Sequence, residues 1–150
     1  MNVKIQDLKD VSISGVKTLF TKSLDTYKET FFEWTAFPMV VDFKSNQIAC
    51  GLLEGWHHTP TFDEIEYHED AELFYFLEGP ALMLFVDINN GKAVMDSAQI
   101  VRIPAGTELS IEAGKGHFVA VAEGDTMKAV VIAPVQDSPR ITLAETICGE

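Results

Sequence analysis

Turn-forming residues recur so often along this chain that long helices have little room between them. Glu78-Gly79-Pro80, Asn89-Asn90-Gly91, Pro104-Ala105-Gly106, Gly114-Lys115-Gly116 and Glu123-Gly124-Asp125 punctuate its second half. Gly and Asn supply positive φ at such places and Pro a fixed φ, so each marks a backbone reversal. The apolar runs between turn signals read as strands over residues 11–20, 36–43, 47–54, 65–68, 72–77, 81–87, 99–103, 108–111, 117–122, 128–133 and 140–145. Strands at intervals of roughly 8–12 residues predict an all-β sandwich or barrel. Asn90-Gly91 between two runs predicts a tight hairpin. Helix is limited to a turn or two over residues 25–34, with Ser23 or Asp25 as cap.

With 150 residues and no repeat or linker, the chain is expected to form a single domain over residues 1–150. No apolar stretch approaches the roughly 20 residues of a membrane span. Residues 1–10 alternate charged and apolar side chains without the apolar core of a signal peptide. With only Cys50 and Cys148, the expectation is a reduced, cytoplasmic protein whose cysteines are small buried hydrophobes. The net charge of -12, from 23 acidic against 11 basic residues, repels nucleic acid and anionic membranes. Lys92, Arg102, Lys115, Lys128 and Arg140 are scattered singly, so no basic patch overrides that field. A small molecule is the partner left, including an anionic one where a placed Arg or a bound metal reverses the local sign.

The chemistry concentrates in Glu66-Tyr67-His68-Glu69-Asp70-Ala71-Glu72, which runs into the apolar stretch 73–77. Glu66, His68 and Glu72 share a parity, so on extended chain they point to one side of a sheet. Polar groups held against a buried strand need a partner, a metal or a substrate. Six residues separate Glu72 from Gly79; further on, Gly106, Glu112, Gly114 and His117 form a second spaced set. This pair of spacings resembles the two motifs of the cupin family, with Glu66 at the first histidine of its His-x-His pair. Pro60 replaces the opening Gly of that pattern, Glu112 the Pro and Val121 the Asn of its second motif.

The resemblance implies a double-stranded β-helix (jelly-roll) barrel with little helix. It places His68, Glu72 and His117 on three metal-ligand positions and Glu66 on the fourth. Two imidazoles with one or two carboxylates suit Mn(II), Fe(II), Zn(II) or Ni(II). Glu66 is either a ligand or a free base beside the metal; as part of the acidic run 63–66 it is equally readable as solvated surface. Residues 48–87 further resemble ureidoglycolate lyase, with Glu66-Tyr67-His68 where that family has Glu-Arg-His and Glu72 near its Gln. That likeness implies metal-assisted C–N cleavage of a small polar acid, with Glu66 and His117 as catalytic groups. Alternatives are a non-catalytic metabolite-binding or regulatory cupin, or a cupin isomerase or oxygenase.

Around this set, Phe74 and Phe76 share the parity of Glu72 and line the barrel interior, Phe74 being the candidate substrate contact. Arg102, within Ile100-Val101-Arg102-Ile103, either sits on the outer face or turns inward to clamp a substrate carboxylate. Lys115 reads as an exposed loop cation, and His57-His58 as a solvated pair with one possible contact at the pocket mouth. Apolar residues on both parities of 73–77 imply cover on both faces, from a second sheet or a partner subunit, and a homodimer is expected.

Overall fold

Continuous burial from Ala81 to Val86 fixes the architecture, because a strand without alternation must be covered on both faces. The computed structural model describes residues 1–150. Its strands are β1 (Asn2–Val3), β2 (Ile5–Asp7), β3 (Val16–Phe20), β4 (Tyr27–Lys28), β5 (Glu33–Trp34), β6 (Ile48–Trp56), β7 (Thr61–Glu66), β8 (Glu72–Glu78), β9 (Ala81–Asn89), β10 (Lys92–Ile103), β11 (Thr107–Ile111), β12 (Gly116–His117), β13 (Val121–Ala122), β14 (Thr126–Pro134) and β15 (Arg140–Gly149). One sheet has the order β1-β15-β7-β12-β9-β10-β2, with β13 also on β9; the second is β3-β11-β8-β14-β6. Only Lys4 separates β1 from β2, yet they pair with opposite ends of the first sheet and draw it into a nearly closed barrel.

Between the two sheets, Met83 and Phe85 of β9 pack with Phe74 and Phe76 of β8, Leu109 and Ile111 of β11, and Met127 of β14. The alternate residues Leu82, Leu84 and Val86 join Phe62, Ile65, Ile100 and Ile147 in a second cluster on the other face of the first sheet. Each such side chain contributes roughly 1.5–3 kcal/mol of burial, so these two cores hold the sheets in register.

The all-β architecture follows the sequence, and local departures have physical causes. The hairpin between β9 and β10 forms with Asn90 at φ 50° and Gly91 at φ 71°, the two positive φ values its turn requires. Residues 25–34 form the β4–β5 hairpin instead of a helix; their Thr and aromatic residues suit extended chain, and the Thr26 and Thr35 hydroxyls close its base at 2.7 Å. Residues 36–43 are not a strand. Pro38 lacks a donor, and the segment crosses the outer face of the second sheet irregularly, with Phe37 against Tyr75 at 5.1 Å between centroids.

Lys115 is buried, its ammonium donating to Asp87 at 2.6 Å, because the turn carrying it folds back on the barrel end. Cys50 is exposed on the outer strand β6, and Cys148 is half-buried, so neither is sealed in a core. No helix is long and apolar enough to cross a membrane.

Candidate metal centre

Three strand ends and one loop bring the chemistry together. β7 ends at Glu66, β8 begins at Glu72, and β12 places His117 between Glu66 of β7 and Phe85 of β9. His68 comes from the 67–71 connection rather than from a strand, so shared strand parity does not explain its position. That loop is fixed by its own bonds. Gly114 N–H donates to the His68 carbonyl at 2.8 Å, and the Asp70 carboxylate accepts from the backbone N–H of Lys44, Ser45 and Ala71 at 2.8–3.1 Å. Burial works against the Asp70 charge, but these donors outweigh it and lower its pKa.

Each imidazole is oriented by a backbone carbonyl. His68 Nδ1–H donates to Asp137 O and His117 Nδ1–H to Lys115 O, both at 3.0 Å. A carbonyl oxygen only accepts, so both protons are on Nδ1 and both Nε2 atoms face inward. They converge on one atom: Glu72 Oε2 lies 3.1 Å from His68 Nε2 and 3.0 Å from His117 Nε2. Glu66 Oε1 lies 4.0 Å from His117 Nε2. Glu66, His68 and His117 each offer a donor atom within 4.8 Å of the other two.

His68 is 5% exposed, and its Nε2, though near Glu72, is off the line of a hydrogen bond and has no partner. Burial pushes the Glu72 carboxyl up, but the His117 and His68 imidazoles against it pull it down to about 2. Burial likewise opposes the charged form of His68; Glu72, the Asp137 carbonyl and the Glu66 charge outweigh it and raise its pKa.

These residues fit a divalent cation. With both Nδ1 protonated, a neutral imidazole presents its Nε2 lone pair to a carboxylate, which is repulsive unless a proton or a cation lies between them. Carbonyl-anchored Nδ1–H groups with Nε2 atoms converging on carboxylates are the outer support that metal-binding histidines use. The Glu66, His68 and His117 donors make a mixed nitrogen and oxygen set of the kind that suits Mn(II), Fe(II), Zn(II) or Ni(II).

A surface groove of about 700 Å³ reaches this cluster at His68, lined also by Lys44, Tyr67, Asp70, Gly114 and Gln136. Glu66 and Glu72 keep 15% and 13% side-chain exposure. Phe74 is two residues along β8 from Glu72 and stacks on Phe76 at 6.1 Å; it forms packed floor rather than open wall.

Of the two placements open to Arg102, the structure shows the outer face, and no inward clamp is formed. Its guanidinium donates to Glu123 at 2.6 and 2.7 Å and to Asp7 at 2.6 Å. Arg102 pairs with Leu82, three positions along β9 from the Phe85 that pairs with His117. Its parity puts it with Ile100 on the face away from the cavity between the sheets. His57 is also elsewhere, its ring nitrogen 3.0 Å from Glu123 O. Nothing in the sequence signalled Lys44 or Gln136 as groove residues, since the segments carrying them meet His68 only through tertiary packing. Arg140 was noted only as a scattered cation; it lies opposite Glu66 on β15, pairs with Glu64 and covers the Phe118 ring at 5.2 Å.

Among solved structures, dTDP-6-deoxy-D-glucose-3,5-epimerase from Legionella pneumophila Philadelphia 1, in complex with dTDP-4-keto-L-rhamnose, superimposes with a TM-score of 0.54. The match covers 88% of this chain and 74% of the epimerase at 12% identity. The fold is a cupin barrel. Two weaker likenesses accompany it. The 3,4-ketoisomerase of Thermoanaerobacterium thermosaccharolyticum gives 0.48 at 11% identity, over 87% of this chain and 88% of that one. Oxalate decarboxylase of Bacillus subtilis, whose Mn(II) centres are described, gives 0.43 at 19%, over 65% of this chain and 24% of its own. No family model and no curated sequence matches the chain. At such identities the cupin barrel is common ground and the ureidoglycolate lyase likeness rests on the sequence motifs alone.

Proposed function

We propose that this chain is a divalent-metal cupin acting on a small polar acid of the ureidoglycolate kind, with His68, Glu72, His117 and Glu66 around the ion. The observation carrying this reading is the pair of carbonyl-anchored histidines whose inward Nε2 atoms converge on one carboxylate oxygen. A bound divalent ion would act as Lewis acid toward the substrate oxygens and lower the pKa of a coordinated hydroxyl.

Glu72 is held from two sides by imidazoles and is poorly placed to move a proton. Glu66, 4.0 Å from the nearest imidazole nitrogen, is the carboxylate free to accept one at Oε1. His117, anchored through Nδ1, turns Nε2 toward the ion and Glu72, so the proton taken by Glu66 is the one available for return to the leaving amine. Lys44, whose ammonium donates to the Glu69 carbonyl at 2.7 Å, is the cation lining the groove and in this reading would meet a substrate carboxylate.

The test is metal content and turnover measured together. Chelator-stripped protein reconstituted with Mn(II), Fe(II), Zn(II) or Ni(II) should hold one ion per chain by mass spectrometry, and His68→Ala or His117→Ala should lose it. The loaded protein should release urea from ureidoglycolate, and Glu66→Gln should keep the ion while losing turnover. One ion per chain without urea release would leave the metal site standing and overturn the substrate class. A second reading, a metabolite-binding cupin without turnover, is favoured by the groove meeting the cluster at His68 alone. Saturable ureidoglycolate binding with no product would select it.

A further inference from the structure

We propose that β6 is a pairing edge through which two copies of this chain form an antiparallel dimer with one continuous sheet. β6 is the last strand of the second sheet and pairs only with β14, in unbroken register from Ile48–Pro134 to Trp56–Thr126. Two bonds fix the phase of that ladder: Val135 N–H donates to Gln47 O at 3.1 Å and His57 N–H to Asp125 O at 2.9 Å. In an antiparallel pair the N–H and C=O of one residue point the same way, and the direction alternates. Odd-numbered residues therefore bond β14, and even-numbered residues point both groups away from it. Beyond Glu54 the chain turns toward the first sheet, where His57 bridges Ala122. Ile48, Cys50, Leu52 and Glu54 are left presenting four N–H and four C=O groups along an open edge.

Edges of this kind are normally blunted by lysine, proline, a bulge or short length. The opposite edge, β3, follows that rule with five residues and Lys17. β6 follows none of it: IACGLLEGW has one charge, no proline and no bulge, and Ile48 to Leu52 are all exposed. Self-pairing about a twofold axis at Gly51 satisfies all eight groups. It sets Cys50 opposite Leu52 of the second copy and Ile48 opposite Glu54, with Trp56 diagonal to Ile48 and within reach.

Ile48, Leu52 and Trp56 are 45%, 60% and 71% exposed on that face. At ~200 Å² for a fully exposed large side chain they offer about 350 Å² per copy. Edge pairing covers the flanks of these side chains and the paired backbone, short of the ~1,000 Å² total of a permanent interface, so a weak dimer dissociating in the micromolar range is expected. The occupant is a second copy because the open groups, centred on Gly51, are complementary to themselves. The charge of -12 on each copy opposes association, so added salt should tighten it.

Sedimentation velocity from 1 to 100 μM should show wild-type protein passing from monomer to dimer, more readily at 0.5 M salt than at 0.05 M. Leu52→Lys should shift the midpoint at least tenfold upward while leaving the melting temperature within error. Gly51 has open space where a Cβ would stand, and residues facing across the axis in a non-hydrogen-bonded pair have Cα atoms ~4.5 Å apart, within disulfide range. Gly51→Cys, with Cys50 and Cys148 changed to Ser, should therefore oxidise to a covalent dimer, and Thr18→Cys on β3 should not. A monomer at 100 μM overturns the proposal, as does a dimer insensitive to Leu52→Lys or equal cross-linking from position 18.

Discussion

Glu108 is the acid whose replacement should stabilise this protein. It lies on the outer face of the second sheet, opposite Leu19 on β3 and Tyr75 on β8, and is 7% exposed. Its Oε2 is sealed and has no hydrogen-bond partner, and burial raises its pKa. An unpartnered buried polar group costs ~1–3 kcal/mol, and Gln removes the charge at nearly constant shape. Because Gln keeps a polar terminus and removes only the charge, Glu108→Gln is expected to gain about 1 kcal/mol at pH 7.5, or about 2–4 °C in melting temperature for a domain of this size. The pH dependence is the signature. Because the folded pKa lies above the unfolded value of ~4.3, folding is penalised as pH rises through that window and by a constant amount above it. Below about pH 4 both states are protonated and the variant should match wild type. Thermal or urea unfolding of both proteins at pH 4 and pH 7.5 decides it. A variant no more stable at pH 7.5, or one with the same gain at both pH values, would refute an origin in the buried charge.

In chelator-treated protein, Glu72, held at about 2, should contribute stability above its unfolded pKa that is lost as pH falls from about 4.5 toward 2, and Glu72→Gln should abolish that acid limb in urea titrations. Arg102→Ala should cost no more than about 1–2 kcal/mol, since its ion pairs are part-exposed, and should leave metal stoichiometry unchanged. Glu123, whose pKa Arg102 lowers, should make part of that difference vanish as pH falls below the usual carboxylate range. Phe76→Ala, at the fully buried centre of the cavity floor, should cost ~3–5 kcal/mol, read as a lower urea midpoint.

What the sequence made legible was what short-range chemistry decides. The β9–β10 reversal was readable because Asn90-Gly91 is nearly the only way to place two positive φ values in succession. The 36–43 segment misled because its apolar side chains do cover the barrel, but as an irregular crossing whose continuation at Lys44 and Ser45 is tied down by Asp70 in a distant loop. At the site, Glu66 closes β7 in the first sheet and Glu72 opens β8 in the second, so a parity read along one extended chain does not account for their meeting. His68 reached the same point through a loop whose course depends on Gly114 and Asp137, neither adjacent in sequence. Arg102 failed as a substrate clamp for a related reason. An Arg in an apolar strand signals a buried partner or an outer face, and only the fold shows that Asp7 and Glu123 stand on that outer face to receive it.

In the proposed metal centre, binding of the ion would be linked to acidity. Its two carboxylates and two imidazoles are compensated either by protons on the inward nitrogens or by one divalent ion, and the same Nε2 lone pairs serve both. Proton and cation therefore compete for one set of atoms, and affinity for the ion must fall as pH falls. Because both Nδ1 atoms are already committed to backbone carbonyls, neither ring can escape the competition by changing tautomer. Glu66 is less constrained, being engaged at 4.0 Å by His117 alone. The contacts that join His68, Glu72 and His117 do not run through it. In the function proposed above, that freedom is what would let Glu66 serve as the base beside an ion held by the two histidines and Glu72.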